Sequence, residues 1–217
     1  MTWCGSMRVN VIDEELLKTI EKAGCEYLFM GLEAITDEQL TRLNKGQTVT
    51  QIKSCIKALA QWRIDTKGIN KTYSFMCGFP NEDQKYIYRL MDFIDWIREL
   101  DPRAGITIQS YAPLPGTPLY EEAFNHGFVP PKKLYDWWNF TTGDVVGPWV
   151  KDKNFLRDIF LISFLAFRYT KFLTKAYYPF YFIARLRWKY RFFGLCYERI
   201  LFKLMKRCYL TADKYFN

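Results

Sequence analysis

The sequence predicts an α/β protein built on a parallel sheet, and three observations carry that prediction. Over residues 1–112, short apolar runs alternate with segments of helical periodicity, joined by loops of a few residues. One run, Tyr27–Leu32, is apolar throughout, as a strand buried on both faces should be. Capping residues stand ahead of the helical segments, with Gly or Pro after them. Repeated strand–helix units with short loops give parallel strands joined by right-handed crossovers. Four strands are visible, so the sheet is either open or part of a barrel. In both cases the working residues belong at the carboxyl ends of the strands.

Each element has its own justification. Met7–Val11 reads as a short strand. Asp13 is an N-cap for Glu14–Ala23, whose Leu16, Leu17, Ile20 and Ala23 fall on one helical face, with Gly24 as the stop. After the strand Tyr27–Leu32, Thr36 caps a short helix through Asn44, followed by Gly46. Thr48 caps Val49–Trp62. Lys71–Cys77 is a strand ended by Gly78-Phe79-Pro80, and Asn81 is the expected cap of Glu82–Leu100, which Asp101-Pro102 stops. Ile106–Tyr111 is the fourth strand. The strand ends to watch are therefore Arg8–Asn10, Gly31–Glu33, Cys77–Pro80 and Ser110–Pro113. The chain divides into 1–112, a Pro/Gly-rich extension 113–150 with a short helix Leu119–Asn125, and a tail 151–217. Trp137 and Trp138 lie on a segment without a clear pattern, and Gly143–Pro148 reads as a loop. From Phe155 the pattern is helical, aromatic and basic, with a breaker at Pro179.

Composition bounds the function. With 217 residues, 49% hydrophobic, the chain has enough apolar content for a core, which excludes intrinsic disorder. Residues 1–150 carry 16 basic and 19 acidic residues, whereas 151–217 carry 15 and 4, so the basic character lies in the tail. The six cysteines are scattered, without CxxC or CxxxCxxC, so reduced thiols in a cytoplasmic protein are expected. No leader pattern precedes the first strand. The longest uncharged runs in the tail, Ile159–Phe167 and Ala176–Ala184, are far short of the roughly 20 residues a spanning helix needs. His126, the single histidine, sits near a helix end where a satisfied surface residue is expected, so a zinc site or Cys–His pair is disfavoured.

Glu33 projects from the end of a strand that should be central. It serves either as a first-turn charge for the next helix or as a ligand group. Lys45, twelve residues on, is by itself a helix C-terminal charge, and it returns to the strand ends only if its loop folds inward. Gly78 allows close backbone approach at a strand end, ahead of the free N–H groups of a helix.

Several strings in order then carry a resemblance. Trp3-Cys4-Gly5-Ser6-Met7-Arg8, Ala23-Gly24-Cys25, Gly31-Leu32-Glu33, Leu43-Asn44-Lys45-Gly46, Gly78-Phe79-Pro80-Asn81-Glu82 and Pro113-Leu114-Pro115-Gly116-Thr117-Pro118-Leu119-Tyr120 resemble the C-terminal part of radical S-adenosylmethionine enzymes. The likeness is to the subgroup with an N-terminal cobalamin-binding domain, and it covers roughly residues 3–140. It implies a partial (β/α) barrel in which a [4Fe-4S] cluster reduces S-adenosylmethionine to a 5′-deoxyadenosyl radical, with methyl transfer from cobalamin in some members. It further implies that Glu33 binds the ribose hydroxyls and that Lys45 pairs with the methionine carboxylate. Arg8 lies near the methionine moiety, Ser74 contacts the ribose or adenine, and Gly78 and Tyr111 flank the adenine.

The CxxxCxxC loop, two barrel strands and any cobalamin domain are missing from this sequence, while Ala34 and Asn81 depart mildly from the family pattern. The chain is therefore expected to be the C-terminal piece of a longer enzyme whose N-terminal segment supplies the cluster ligands, and to be inactive alone. An open sheet edge with uncovered apolar surface should follow. The substrate is not legible.

The tail matches no family motif. Arg185-Leu-Arg187-Trp-Lys189-Tyr-Arg191-Phe-Phe fits helices packed on the barrel flank with snorkelling cations. It also fits a peripheral contact with an anionic membrane surface. Nucleic-acid binding is disfavoured, since no recognised module is present. The rival functional reading is a non-catalytic barrel remnant that binds a membrane surface or a partner through this tail.

Overall fold

A computed structural model describes residues 1–65, 69–137, 146–167 and 178–194. Its centre is a four-stranded parallel sheet in the order β1-β2-β3-β4, with β1 Trp3–Met7, β2 Cys25–Glu33, β3 Asn70–Cys77 and β4 Gly105–Ser110. Between the strands run α1 Glu14–Lys22, the pair α2 Asp37–Arg42 and α3 Val49–Asp65, and α4 Gln84–Leu100. α5 Pro118–Asn125, α6 Lys153–Phe167 and α7 Tyr178–Lys189 follow. Trp138, residues 143–145 of the expected loop, Cys196 and Cys208 lie outside the described residues.

The register shows how the sheet divides its labour. Leu28, Met30 and Leu32 on β2, Tyr73, Phe75 and Cys77 on β3, and Ile106 and Ile108 on β4 point to one face and are buried. With Leu40, Ile56, Leu59, Leu90, Met91 and Ile94 from the helices they form the core. Successive strand residues face opposite ways. Phe29, Gly31 and Glu33 therefore share the other face with Thr72, Ser74 and Met76, and with Thr107 and Gln109 beyond them. That face is small and polar toward its carboxyl end.

Two buried charges brace the helical side. Lys71 on β3 donates from Nζ to the Leu59 carbonyl at 2.9 Å and pairs with Asp101 at 3.1 Å, tying α3 to the end of α4. β1 is an edge strand, with Trp3 and Cys4 exposed, as expected for an open sheet. At the other edge α6 packs against β4 and α7 packs against α6.

Most capping expectations hold: Asp13 accepts from Leu16 N and Thr36 from Gln39 N. Two do not. The first strand is Trp3–Met7 rather than Met7–Val11, and Val9–Val11 forms a 3-10 turn. Pairing with β2 selects the strand there, and an edge strand needs no apolar run, so hydrophobicity pointed one segment too late. The second concerns α4, which starts at Gln84 with Asp83, not Asn81, as its cap; Asp83 accepts from Tyr86 N at 2.7 Å. Asn81 instead takes a left-handed backbone (φ 65°), and this frees Glu82 for a different task. The described part of the tail forms α6 and α7, with Pro179 in the first turn of α7, where its missing N–H costs nothing.

Candidate functional site

The polar groups gather at the carboxyl ends of β1 and β2. Glu33, the last residue of β2, follows a break in register and has φ 66°, a left-handed conformation costly for a residue with a Cβ. The kink turns its carboxylate back over Gly31, where a Cβ would run into Oε1. Oε1 accepts from Lys45 Nζ at 3.0 Å, with both side chains mostly buried.

Lys45 arrives there because of how α2 ends. Lys45 N donates to Leu40 O (3.0 Å) and Asn44 N to Thr41 O (2.9 Å), with Asn44 at φ 50°, the bonding of a Schellman stop. Gly46 follows at φ 62°. Gln47 Nε2 then donates to Leu32 O at 3.3 Å and Val49 N to Asp37 Oδ1 at 2.7 Å, holding the loop inward. The inward fold that the lysine needed is present. Arg8, just past β1, reaches the same place with Nη1 3.5 Å from the Lys45 carbonyl. A carboxylate and an ammonium thus meet at the ends of β1 and β2, and a guanidinium is bonded to the backbone of the same loop. Ser74 pairs with Gly31 in the register and shares its face.

Gly78 and Tyr111 belong to a second cluster at the ends of β3 and β4. Gly78 has φ 80°, and a Cβ there would press on Leu156 of α6. Its N–H donates to the Glu82 carboxylate at 2.8 Å, and its carbonyl accepts from Trp149 Nε1 at 2.8 Å. Tyr111 stacks on Phe79 with centroids 4.7 Å apart, and its hydroxyl donates to Leu119 O at 2.7 Å. Burial pushes this phenol up to about 12. Glu82 is also held by Gln39 Nε2 at 3.3 Å. Burial nevertheless outweighs its hydrogen bonds and pushes the carboxyl up to about 7. A cavity of about 350 Å³ opens beside it, lined by Gln39, Arg42, Asn81 and Arg89 among others. Arg42 forms an ion pair with Glu122. His126 sets one ring nitrogen 2.9 Å from Glu122 O and the other 3.2 Å from Asn81 Oδ1.

Sequence reasoning overlooked Glu82, Trp149, Thr107 and Gln109. The polar alternation Thr107, Gln109 within a strand was a usable signal; Thr107 Oγ1 is buried without a hydrogen-bond partner. Trp149 offered none, because only the tertiary path of residues 146–150 brings it to Gly78.

Among the described residues, no three His, Cys, Asp or Glu side chains stand close enough to hold a metal ion. Cys25, Cys55 and Cys77 are buried, and desolvation raises all three thiols, Cys55 to about 11. These residues do not fit an iron–sulfur cluster.

A parallel α/β sheet with its polar groups at the carboxyl ends of the strands is an enzyme-like architecture. Residues 4–94 match the Radical SAM superfamily. It is similar to an uncharacterized methyltransferase of Pyrococcus horikoshii, 29% identical over 182 residues, 83% of this chain and 34% of that protein. It is also similar to the anaerobic magnesium-protoporphyrin IX monomethyl ester cyclase of Cereibacter sphaeroides, 32% identical over 125 residues, 55% of this chain and 18% of that one. The chain thus spans about a third of the first relative and under a fifth of the second. Among solved structures, the Elp3 of Methanocaldococcus infernus with an N-terminal deletion is similar at 21% identity and a TM-score of 0.48, over 60% of this chain and 29% of that one.

Proposed function

We propose that this chain forms the S-adenosylmethionine-binding half of a radical S-adenosylmethionine enzyme. The observation that carries the reading is the Glu33–Lys45 pair at the end of β2, with Glu33 held in a strained backbone to reach it and Arg8 bonded to the Lys45 carbonyl beside it. Strain of this kind persists where the surroundings over-determine it, and it concentrates at ligand sites.

The donor set fits the ligand chemically. A carboxylate accepts from two hydroxyls, as a ribose presents, while an ammonium and a guanidinium suit a carboxylate. In the structure Glu33 and Lys45 satisfy each other, so to hold separate groups they would exchange this pair for the ligand's own charges. Gly31, with no Cβ, leaves the Glu33 carboxylate room over the sheet, and Ser74 and Thr107 offer hydroxyls on the same face. Glu82, bonded to Gly78 N, fixes the turn after β3, and Trp149 closes over that turn from outside.

Held by these residues, S-adenosylmethionine would supply the radical chemistry by which hydrogen is taken from substrate. The residues described here bind and orient it, and the [4Fe-4S] cluster that reduces it would be held elsewhere in the complete protein. Since one relative is named a methyltransferase and another a monomethyl ester cyclase, methyl transfer by the complete protein, aided by cobalamin held outside these residues, is the finer form of this proposal.

Binding of S-adenosylmethionine, followed by calorimetry, tests the site. Glu33→Ala and Lys45→Ala should each weaken it by at least about 1 kcal/mol, as expected for hydrogen bonds to charged groups. Unchanged affinity in both variants would overturn the assignment.

A further inference from the structure

We propose that the outer face of α7 docks on an anionic lipid bilayer, with the cleft between α7 and α4 seating a lipid phosphate. The face is apolar and exposed. Phe182, Ile183, Leu186 and Tyr190 lie within one arc of about 100° on an ideal helix, and they are 58%, 37%, 38% and 69% exposed. Ala184 and Trp188, on the opposite side, are buried. Trp188 Nε1 donates to Asp95 at 2.7 Å and fixes α7 against α4.

The charges on this segment are all of one sign. Residues 178–194 contain four cations and no acid. Two cations are used internally: Arg187 donates to Phe192 O and Gly194 O, and Arg191 pairs with Asp92 and Asp95. The other two, Arg185 and Lys189, are exposed and flank the apolar arc, Arg185 donating to the Tyr181 hydroxyl at 3.0 Å and Lys189 lying 5.7 Å from the Tyr190 ring.

Beside them opens a cleft of about 610 Å³, into which Arg98 also faces. Arg98 Nε is buried without a hydrogen-bond partner, although its Nη1 donates to Ala104 O. Burial and the neighbouring Arg185 both lower the pKa of Arg98. Asp95 and Glu99 border the same cleft, but Asp95 is committed to Trp188 and Arg191. Two guanidiniums and an ammonium beside an apolar stripe match a phosphate at the boundary of an acyl layer.

The position and length of α7 agree with this occupant. α6 packs on β4, so α7 lies at the end of the sheet away from the open β1 edge. No helix among the described residues is long and apolar enough to cross a membrane, so contact would be interfacial. Across residues 151–217, 15 basic residues face 4 acidic ones, and that imbalance selects an anionic surface over a second copy of this chain.

Co-sedimentation of the full chain with vesicles tests the proposal. Binding is expected to phosphatidylcholine vesicles containing about one third phosphatidylglycerol, to fall with added salt, and to be absent with phosphatidylcholine alone. Each cation near such a surface contributes about fivefold in affinity, so R185E/K189E should reduce partitioning by at least roughly thirtyfold. F182S/L186S, on an exposed face, should weaken binding with an unchanged circular dichroism spectrum. Equal binding to neutral vesicles, binding to neither, or unchanged partitioning of both double variants would overturn the proposal. So would dimerisation abolished by F182S/L186S in a chain that ignores vesicles.

Discussion

The backbone of Glu33 makes the site's strain measurable apart from any ligand. With φ at 66°, Glu33 occupies a region that costs a residue with a Cβ about 1–2 kcal/mol and costs glycine nothing comparable. Glu33→Ala removes the carboxylate and its 3.0 Å bond to Lys45 but keeps the strain. Lys45 is partly exposed and can recover water, so the lost pair costs only about 1 kcal/mol. Glu33→Gly loses the same pair and releases the strain. The glycine variant should therefore be the more stable of the two by about 1 kcal/mol, which is about 2–4 °C in Tm for a chain of this size. Both should lose affinity for S-adenosylmethionine. Urea titration of the two variants under one set of conditions, with equal slopes, reads the difference. A glycine variant no more stable than the alanine variant would refute a left-handed Glu33, and with it the argument that the backbone is strained to present the carboxylate.

Two further outcomes follow from the buried charges. Glu82 is raised from 4.5 to about 7 in the folded chain, chiefly by burial, so the native state holds a proton that the unfolded chain has released. Its contribution to stability is therefore intact below about pH 4.5 and is lost as pH rises through 7. Glu82→Gln keeps an acceptor for Gly78 N, so it should match the parent chain near pH 4 and exceed it at pH 8 by about 2–3 kcal/mol; urea midpoints that differ equally at both pH values would count against a buried acid. Lys71→Ala removes the cation paired with the buried Asp101 carboxylate and should cost about 3–5 kcal/mol, while K71M/D101N, which removes both charges, should recover most of it. A loss under about 1 kcal/mol in the single variant, measured by thermal melting, would show that the pair is open to water.

How much of this was legible depends on the range of the interaction concerned. Helix starts at Asp13 and Thr36 were readable because a cap is a contact over three residues. The start of α4 was misplaced by two residues because Asn81, Asp83 and the turn after Gly78 compete locally. The winner was set by Glu82 folding back on Gly78 N. β1 was shifted because the residues of an edge strand bury little and leave no apolar trace. Glu33 stood out as a charge at the end of an apolar run. Lys45, in contrast, was an ordinary helix-end lysine until Asn44 and Gly46 turned the chain back on itself.

From the sequence alone came the parallel α/β class, the strand ends as the place for chemistry, the family motifs and the basic tail. These rest on short-range patterns: apolar periodicity, caps and the spacing of a few residues. The tertiary structure alone decided that Glu33 and Lys45 meet, that Arg8 reaches the Lys45 carbonyl, and that Trp149 closes on Gly78. It also decided that Arg187 and Arg191 are spent on the chain itself while Arg185 and Lys189 remain at the surface. Those partners lie between 5 and 99 residues apart or depend on which face of a helix turns inward, and only the closed packing of the chain sets either.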